Sequence, residues 1–198
     1  MKISKFEEFN VASLCNVNQL IDIVNKILDP VDLESCKTYI CQDEKRMGQL
    51  LYAPIELNSK LREQFITNGW SEQYKCPKIK GSRQDIDSFC KLSLSDKRKS
   101  KVKKTSSVVD FCKDIQIDGK TVKVVLEAQF GKYSFMTSDN LFKFPLFYKN
   151  GYSDVGISLC PLKKIVKDMS SGIGDYEKSI IEVAYAPPSC PLLVVGVE

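Results

Sequence analysis

The sequence predicts an α/β protein: a mixed β-sheet flanked by helices, with a largely helical N-terminal half. Three observations carry that reading. Apolar residues recur at helical spacing before residue 95, the pattern turns strand-like after residue 105, and Asp118-Gly119 separates two β-rich runs. At 198 residues the chain has the size of one domain and can bury a core without metal or disulfide staples. We divide it as a single domain, 1–198, with a mainly helical part (1–95), a basic linker or strap (96–105) and a sheet core (106–198).

Leu20, Ile21, Val24, Ile27 and Leu28 fall on one helical face before Pro30, which predicts an amphipathic helix over 17–28 behind an Asn cap. A second helix is expected from an Asn58 cap, with Leu61 and Phe65 on its apolar face and Asn68-Gly69 as its stop. A third starts at Ser82, with Asp85 as capping-box partner and Ile86, Phe89 and Cys90 facing the core. Beyond the basic segment, 106–117 and 120–130 form a hairpin around Asp118-Gly119, a preferred pair for a type I′ turn. The runs 154–160 and 191–197 read as buried strands, with helices near 162–168 and 175–183 between them.

The composition excludes much chemistry. There is no His, so Ser-His-Asp and Cys-His catalysis and His-ligated zinc hydrolysis are ruled out. The eight Cys contain no CxxC pair and read as reduced, buried thiols of a cytoplasmic protein. No apolar run approaches the roughly 20 residues that cross a bilayer, and the first residues lack the apolar core of an export signal, so no membrane association is expected. The net charge of +4 is concentrated in DKRKSKVKK (96–104), six Lys or Arg against one Asp. That run is either a solvated linker or a strap along a phosphate backbone.

With Asp118 and Gly119 as the turn, facing residues sum to 237, so Asp110 stands opposite Glu127. One face then carries residues 110, 112, 114 and 116 with 121, 123, 125, 127 and 129, and reads as polar. The other is core: Phe111, Ile115, Ile117, Val122, Val124, Leu126, Ala128 and Phe130, interrupted by Lys113 and Lys120. Facing carboxylates repel unless a cation lies between them, and hard Mg²⁺, which also binds phosphate, is the economical choice. The bland alternative is that one carboxylate turns away or pairs with Lys123.

At these residues the chain resembles a known family. DFCKD (110–114), EAQFGKYSF (127–135), DVGISLCPLKK (154–164) and KDMSSGIGDYEK (167–178), with GQLLYAPIELN and Gly69-Trp70, are similar to the BglII and BstYI branch of type II restriction endonucleases, most of all to its BstYI side. The resemblance implies a PD-(D/E)xK nuclease core, Mg²⁺-dependent cleavage of double-stranded DNA, a homodimer on a short palindrome centred on GATC, and a cognate DNA methyltransferase as functional partner. Its signature maps onto Asp110, Glu127 and Gln129 as catalytic residues, with the carbonyl of Ala128 joining Asp110 and Glu127 as metal ligand. Gln129 carries no charge and abstracts no proton, so its role is to hold water or a phosphate oxygen. Relatives have a shorter interval between the two acids, which keeps Asp118 as a rival to Asp110.

For DNA binding, the resemblance implies Lys132 and the Ser170-Ser171 loop as base readers, with Tyr133, Ser134 and Lys163 against phosphate. The serines have a simpler alternative as helix caps before Tyr176. Pro145 departs from the branch and is expected to kink the helix used for dimerisation. Two competing functions stay open: a catalytically decayed DNA-binding protein on the same scaffold, and a structure-specific repair or junction nuclease.

Overall fold

The computed structural model describes residues 1–79, 83–100 and 104–198. Its strands are β1 (Ile3–Phe9), β2 (Lys37–Ile40), β3 (Leu50–Tyr52), β4 (Ser71–Ile79), β5 (Lys104–Ile117), β6 (Lys120–Ala128), β7 (Val155–Pro161) and β8 (Leu192–Val197). Six of them form one mixed sheet in the order β1-β8-β7-β6-β5-β4, and β2 and β3 form a small separate hairpin. β6, β7 and β8 run parallel; the outer pairings are antiparallel. The helices are α1 (Val17–Leu28), α2 (Pro54–Thr67), α3 (Arg83–Cys90), α4 (Leu94–Lys99), α5 (Tyr133–Ser138), α6 (Phe144–Lys149), α7 (Lys163–Val166) and α8 (Tyr176–Tyr185). A π-helical turn, Asp139–Lys143, joins α5 to α6. Among the described residues no helix is long and apolar enough to cross a membrane.

The first half is less purely helical than its periodicity implies, because β1 and β4 close the two edges of the sheet. Both edges carry charged residues, and Pro77 lies within β4, a position an edge strand tolerates. α1 keeps its expected bounds, with Asn16 Oδ1 accepting from the Gln19 N–H at 3.2 Å. α2 starts earlier than expected. Pro54, its φ already fixed for a helix, opens it and leaves Asn58 inside, while Leu57, Leu61 and Phe65 are buried. The Ser82 cap lies outside the described residues.

Residues 96–99 are not a linker. They close α4, where Ser93 caps the Asp96 N–H and Lys97 is buried with its ammonium 5.9 Å from the Phe89 ring. Residues 101–103 of the basic run lie outside the described residues.

The β5–β6 hairpin has the expected register, from Ile117↔Lys120 to Phe111↔Leu126. Asp118 and Gly119 both take positive φ, 50° and 75°, as a type I′ turn requires. Lys113, which interrupts the apolar face, reaches past the core to donate to the Asn68 carbonyl at 2.6 Å, just beyond α2. The second face is not simply polar. Cys112 and Val125 join a cluster with Phe144, Phe147, Val183 and Val194, while Phe111, Leu126 and Ile157 pack on the other side with α1 and α2. Interior strands between two helical layers are covered on both faces. Burial pushes the Cys112 thiol to about 11 and those of Cys160 and Cys190 to about 12, so these are packing groups rather than nucleophiles.

α6 sits close on β7 because residue 156 is Gly: a Cβ there would meet Phe144 Cδ1 at 2.6 Å. Gly156→Ala is therefore expected to destabilise the fold by about 1–3 kcal/mol in urea unfolding, as overpacking does.

Candidate active site

The site forms where two strands part. β6 pairs with β5 as far as Phe111↔Leu126 and then continues with β7 alone, through Ala128↔Leu159. Past Leu126 the Ala128 N–H would lack a partner, and the Asp110 side chain supplies one, its Oδ2 accepting at 2.9 Å. Asp110 is aimed there by a break in the alternation of β5. Val109 belongs to the second cluster and Phe111 to the first, so the strand rotates at residue 110. Its neighbour on β4, between the pairs Glu72↔Phe111 and Tyr74↔Val109, is Gln73, held at φ 50°. Such backbone strain in a bulky residue persists only where its surroundings enforce it. Asp110 and Ala128 line a cavity with Asn58, Arg62, Glu72 and Gln73, and across it Arg62 is paired with Glu72 through both carboxylate oxygens.

Glu127, one residue before Ala128, is 5% exposed. Burial first, then the neighbouring Asp110, pushes its carboxyl up to about 9, with Asp139 adding to the rise and Lys143 opposing it. The Lys143 Nζ lies 2.8 Å from Glu127 Oε1 and 2.7 Å from Asp139 Oδ1. Gln129 is also buried, and its Nε2 donates to Asp139 Oδ2 at 2.8 Å. Asp139 and Lys143 both come from the π turn. Pro145 has no N–H to give the carbonyl one helical turn back, and the turn widens so that the Phe144 N–H bonds to the Asp139 carbonyl. The expected kink at Pro145 is thus a widened turn in a continuous helix.

The rival acid is elsewhere. Asp118 occupies the hairpin turn beside Ser13 and Asn16, and the run of β6 from Lys120 to Glu127, roughly 23 Å, separates it from Glu127. Lys123 pairs with Asp114 at 3.1 Å rather than with either site acid.

The two expected base-reading loops are stitched together. Lys132 forms a bridge with Ile173, and the Tyr133 N–H donates to the Gly172 carbonyl at 3.0 Å. Lys132, Ser134 and Ser171 are exposed and Ser170 half-buried. Arg46 holds the approach to Ser170, donating to the carbonyls of Lys167 and Met169 at 3.0 Å each. The serines do not cap the last helix; Asp175 does, accepting from the Lys178 N–H at 2.9 Å. Tyr133 is not free for phosphate, because its hydroxyl donates to Glu182 of α8. Lys163 stands toward the other edge: its N–H donates to Glu177, which is paired with Lys5 of β1.

The profile of the restriction endonuclease BglII/BglIII family matches residues 6–197. The chain belongs to this family. Among solved structures, restriction endonuclease BglII complexed with a DNA 16-mer aligns over 100% of this chain and 79% of its own, at 18% identity and TM-score 0.67. Free BglII aligns over 100% and 80%, at 16% identity and TM-score 0.54. No curated protein sequence matches the chain significantly. The BglII-family fold is therefore the fold of this protein, and family membership makes it a site-specific deoxyribonuclease.

Restriction endonucleases generally act with a divalent metal ion, and the notch fits one. Its hard oxygen donors are the carboxylates of Asp110 and Glu127, the latter with one oxygen on Lys143, and the carbonyl of Ala128, which also accepts from the Phe130 N–H at 3.1 Å. Among the described residues no group of three or more His, Cys, Asp or Glu forms a cage. A small ion that keeps several waters needs no such cage. Burial first and Asp110 second raise the proton affinity of Glu127, and a divalent ion beside both acids would lower it.

Sequence reasoning missed Asp139 and Lys143. Their acid–base spacing of four was visible, but nothing in it connects that helix to β6. Because the folded state holds the Glu127 proton far above its ordinary value of 4.5, its contribution to stability is present below that value and fades as pH rises toward 9. In chelator, Glu127→Gln is expected to melt a few degrees above wild type at pH 8, with the two converging near pH 4.5, by thermal scans across that range.

Proposed function

We propose that this BglII-family protein is a Mg²⁺-dependent type II restriction endonuclease that hydrolyses one phosphodiester per strand of double-stranded DNA within a short palindrome centred on GATC. The observation that carries the reading is the meeting of Asp110, Glu127 and the Ala128 backbone where β5 and β6 diverge. Asp110, Glu127 and the Ala128 carbonyl would hold the Mg²⁺, which when bound would supply an acidified water and neutralise charge on the phosphate. Asp110 fixes the strand end through the Ala128 N–H and keeps a second oxygen for the ion. Glu127 presents its carboxylate from a buried position, and Gln129, its amide nitrogen held by Asp139, keeps its carbonyl oxygen to orient the attacking water. The sequence-reading role goes to Lys132, whose ammonium suits the O6 and N7 acceptors of guanine, and to the adaptable hydroxyls of Ser170 and Ser171. Ser134 is the phosphate contact beside them, and Lys163 a more remote one.

A palindromic target calls for a two-fold symmetric enzyme. Phe135 on α5, Phe142 on the π turn and Ile181 and Tyr185 on α8 are 57–89% exposed, a surface that a second copy would cover. The reading places the enzyme in the cytoplasm, beside a DNA methyltransferase that protects the same site.

Digestion of unmethylated plasmid in Mg²⁺ followed by sequencing of the ends tests this directly. Discrete fragments with one common GATC-centred end are expected; a smear, or intact plasmid, refutes it. Glu127→Ala is expected to abolish nicking while leaving DNA binding in Ca²⁺ intact. Lys132→Ala should cut with relaxed or lost discrimination, and an unchanged fragment pattern would remove Lys132 from base reading.

A further inference from the structure

We propose that Lys143 is a catalytic residue of this nuclease, bringing from the π turn the positive charge that Gln129 cannot carry. The inference rests on the function proposed above and adds a residue to the same site. Glu127 lies among acids, with Asp110 and Asp139 both raising its proton affinity. Among the described residues, the cation paired with Glu127 is Lys143, and the same ammonium holds Asp139. Gln129 is committed to Asp139 through its amide nitrogen, so it is neutral and partly engaged.

An ammonium has three N–H donors. Two are taken, at 2.8 Å and 2.7 Å, and the third is left for a ligand. Lys143 lines an open cavity with Ser107 and Ser138, so its side chain is reachable from solvent although three-quarters of it is covered. The widened turn is what makes this geometry: it directs Asp139 and Lys143 at the sheet while Phe142 between them remains 70% exposed. With Glu127 engaged by an ion, Lys143 keeps Asp139 as its anchor and has a further N–H for a non-bridging oxygen of the scissile phosphate. There it opposes the negative charge that builds during attack.

The competing account is that Lys143 merely balances buried acids. In that case its removal would weaken folding or disorder the carboxylates that hold the ion, and cleavage would fall only in step with that loss.

Wild type, Lys143→Met and Lys143→Arg are compared in three measurements: single-turnover cleavage of unmethylated plasmid carrying GATC sites in Mg²⁺, Ca²⁺ binding by calorimetry, and binding of the same DNA in Ca²⁺. Lys143→Met is expected to cut roughly 10²–10³-fold more slowly, the usual loss for one transition-state donor, with Ca²⁺ and DNA affinities little changed. Lys143→Arg, which keeps the charge, should recover a good part of the rate. Lys143→Met cutting at nearly the wild-type rate overturns the proposal, as does a rate loss matched by equal loss of Ca²⁺ affinity. Should Lys143→Met fail to fold, Lys143→Gln, which keeps a donor but no charge, carries the same test. If wild type itself cuts nothing, the proposed function and this inference fall together; if wild type cuts and Lys143→Met keeps pace, Lys143 alone is refuted.

Discussion

Asp110 and Glu127 are both brought by their backbones to the point where β5 leaves β6, and the bond from Asp110 to the Ala128 N–H is the contact on which the site depends. Two acids gain nothing from lying close, so only the backbones can hold them there. They do so because Glu127 and Ala128 remain paired with β7 while Asp110 is tied to the Ala128 N–H. The side-chain bond that replaces a lost ladder bond is also what keeps one acid beside the other. Structure and chemistry are here the same contact.

Such a site is stable only because the rest of the sheet is over-determined. β7 and β8 are buried along their full length, and two hydrophobic clusters hold the sheet from both faces. The strained φ of Gln73, the buried Glu127 and the widened turn at Asp139–Lys143 lie within a few residues of one another in space or sequence. Concentrating local disadvantages at one place is the pattern expected where stability has been given up for chemistry.

What was legible in the sequence follows from the range of each interaction. The hairpin register could be read because a two-residue turn fixes it locally, but the ladder ends at Phe111↔Leu126, one pair short of Asp110 and Glu127, and β5 rotates there. α1 could be read because a cap and an apolar stripe act within a dozen residues. The start of α2 was misplaced because a proline that opens a helix competes with an asparagine four residues later that could cap one. β1 and β4 carry charge and a proline, as sheet edges do, and so lack a strong strand signal. The rotation of β5 at Asp110 and the contact of Lys143 with Glu127 depend on partners far along the chain. Helical periodicity assumes one spacing, and a π turn changes it midway.

One helix connects the two halves of the proposed activity. It begins directly after Lys132, at the loop bridged to Ile173, and ten residues on its π turn reaches Glu127 through Lys143. β6 arrives at the same loop from the other direction, passing Glu127 and Gln129 before it gets to Lys132. The groups assigned to cutting and to reading thus lie on a short closed circuit of chain, with α8 fastened to it through Tyr133 and Glu182. If Lys132 reads a base as proposed, a shift of its backbone would be carried to the strand end and to the helix, both joined to its loop. Such a shift would alter the spacing of Lys143, Glu127 and Asp110, and the proposed cleavage would then depend on the fit of the DNA without any separate signalling element.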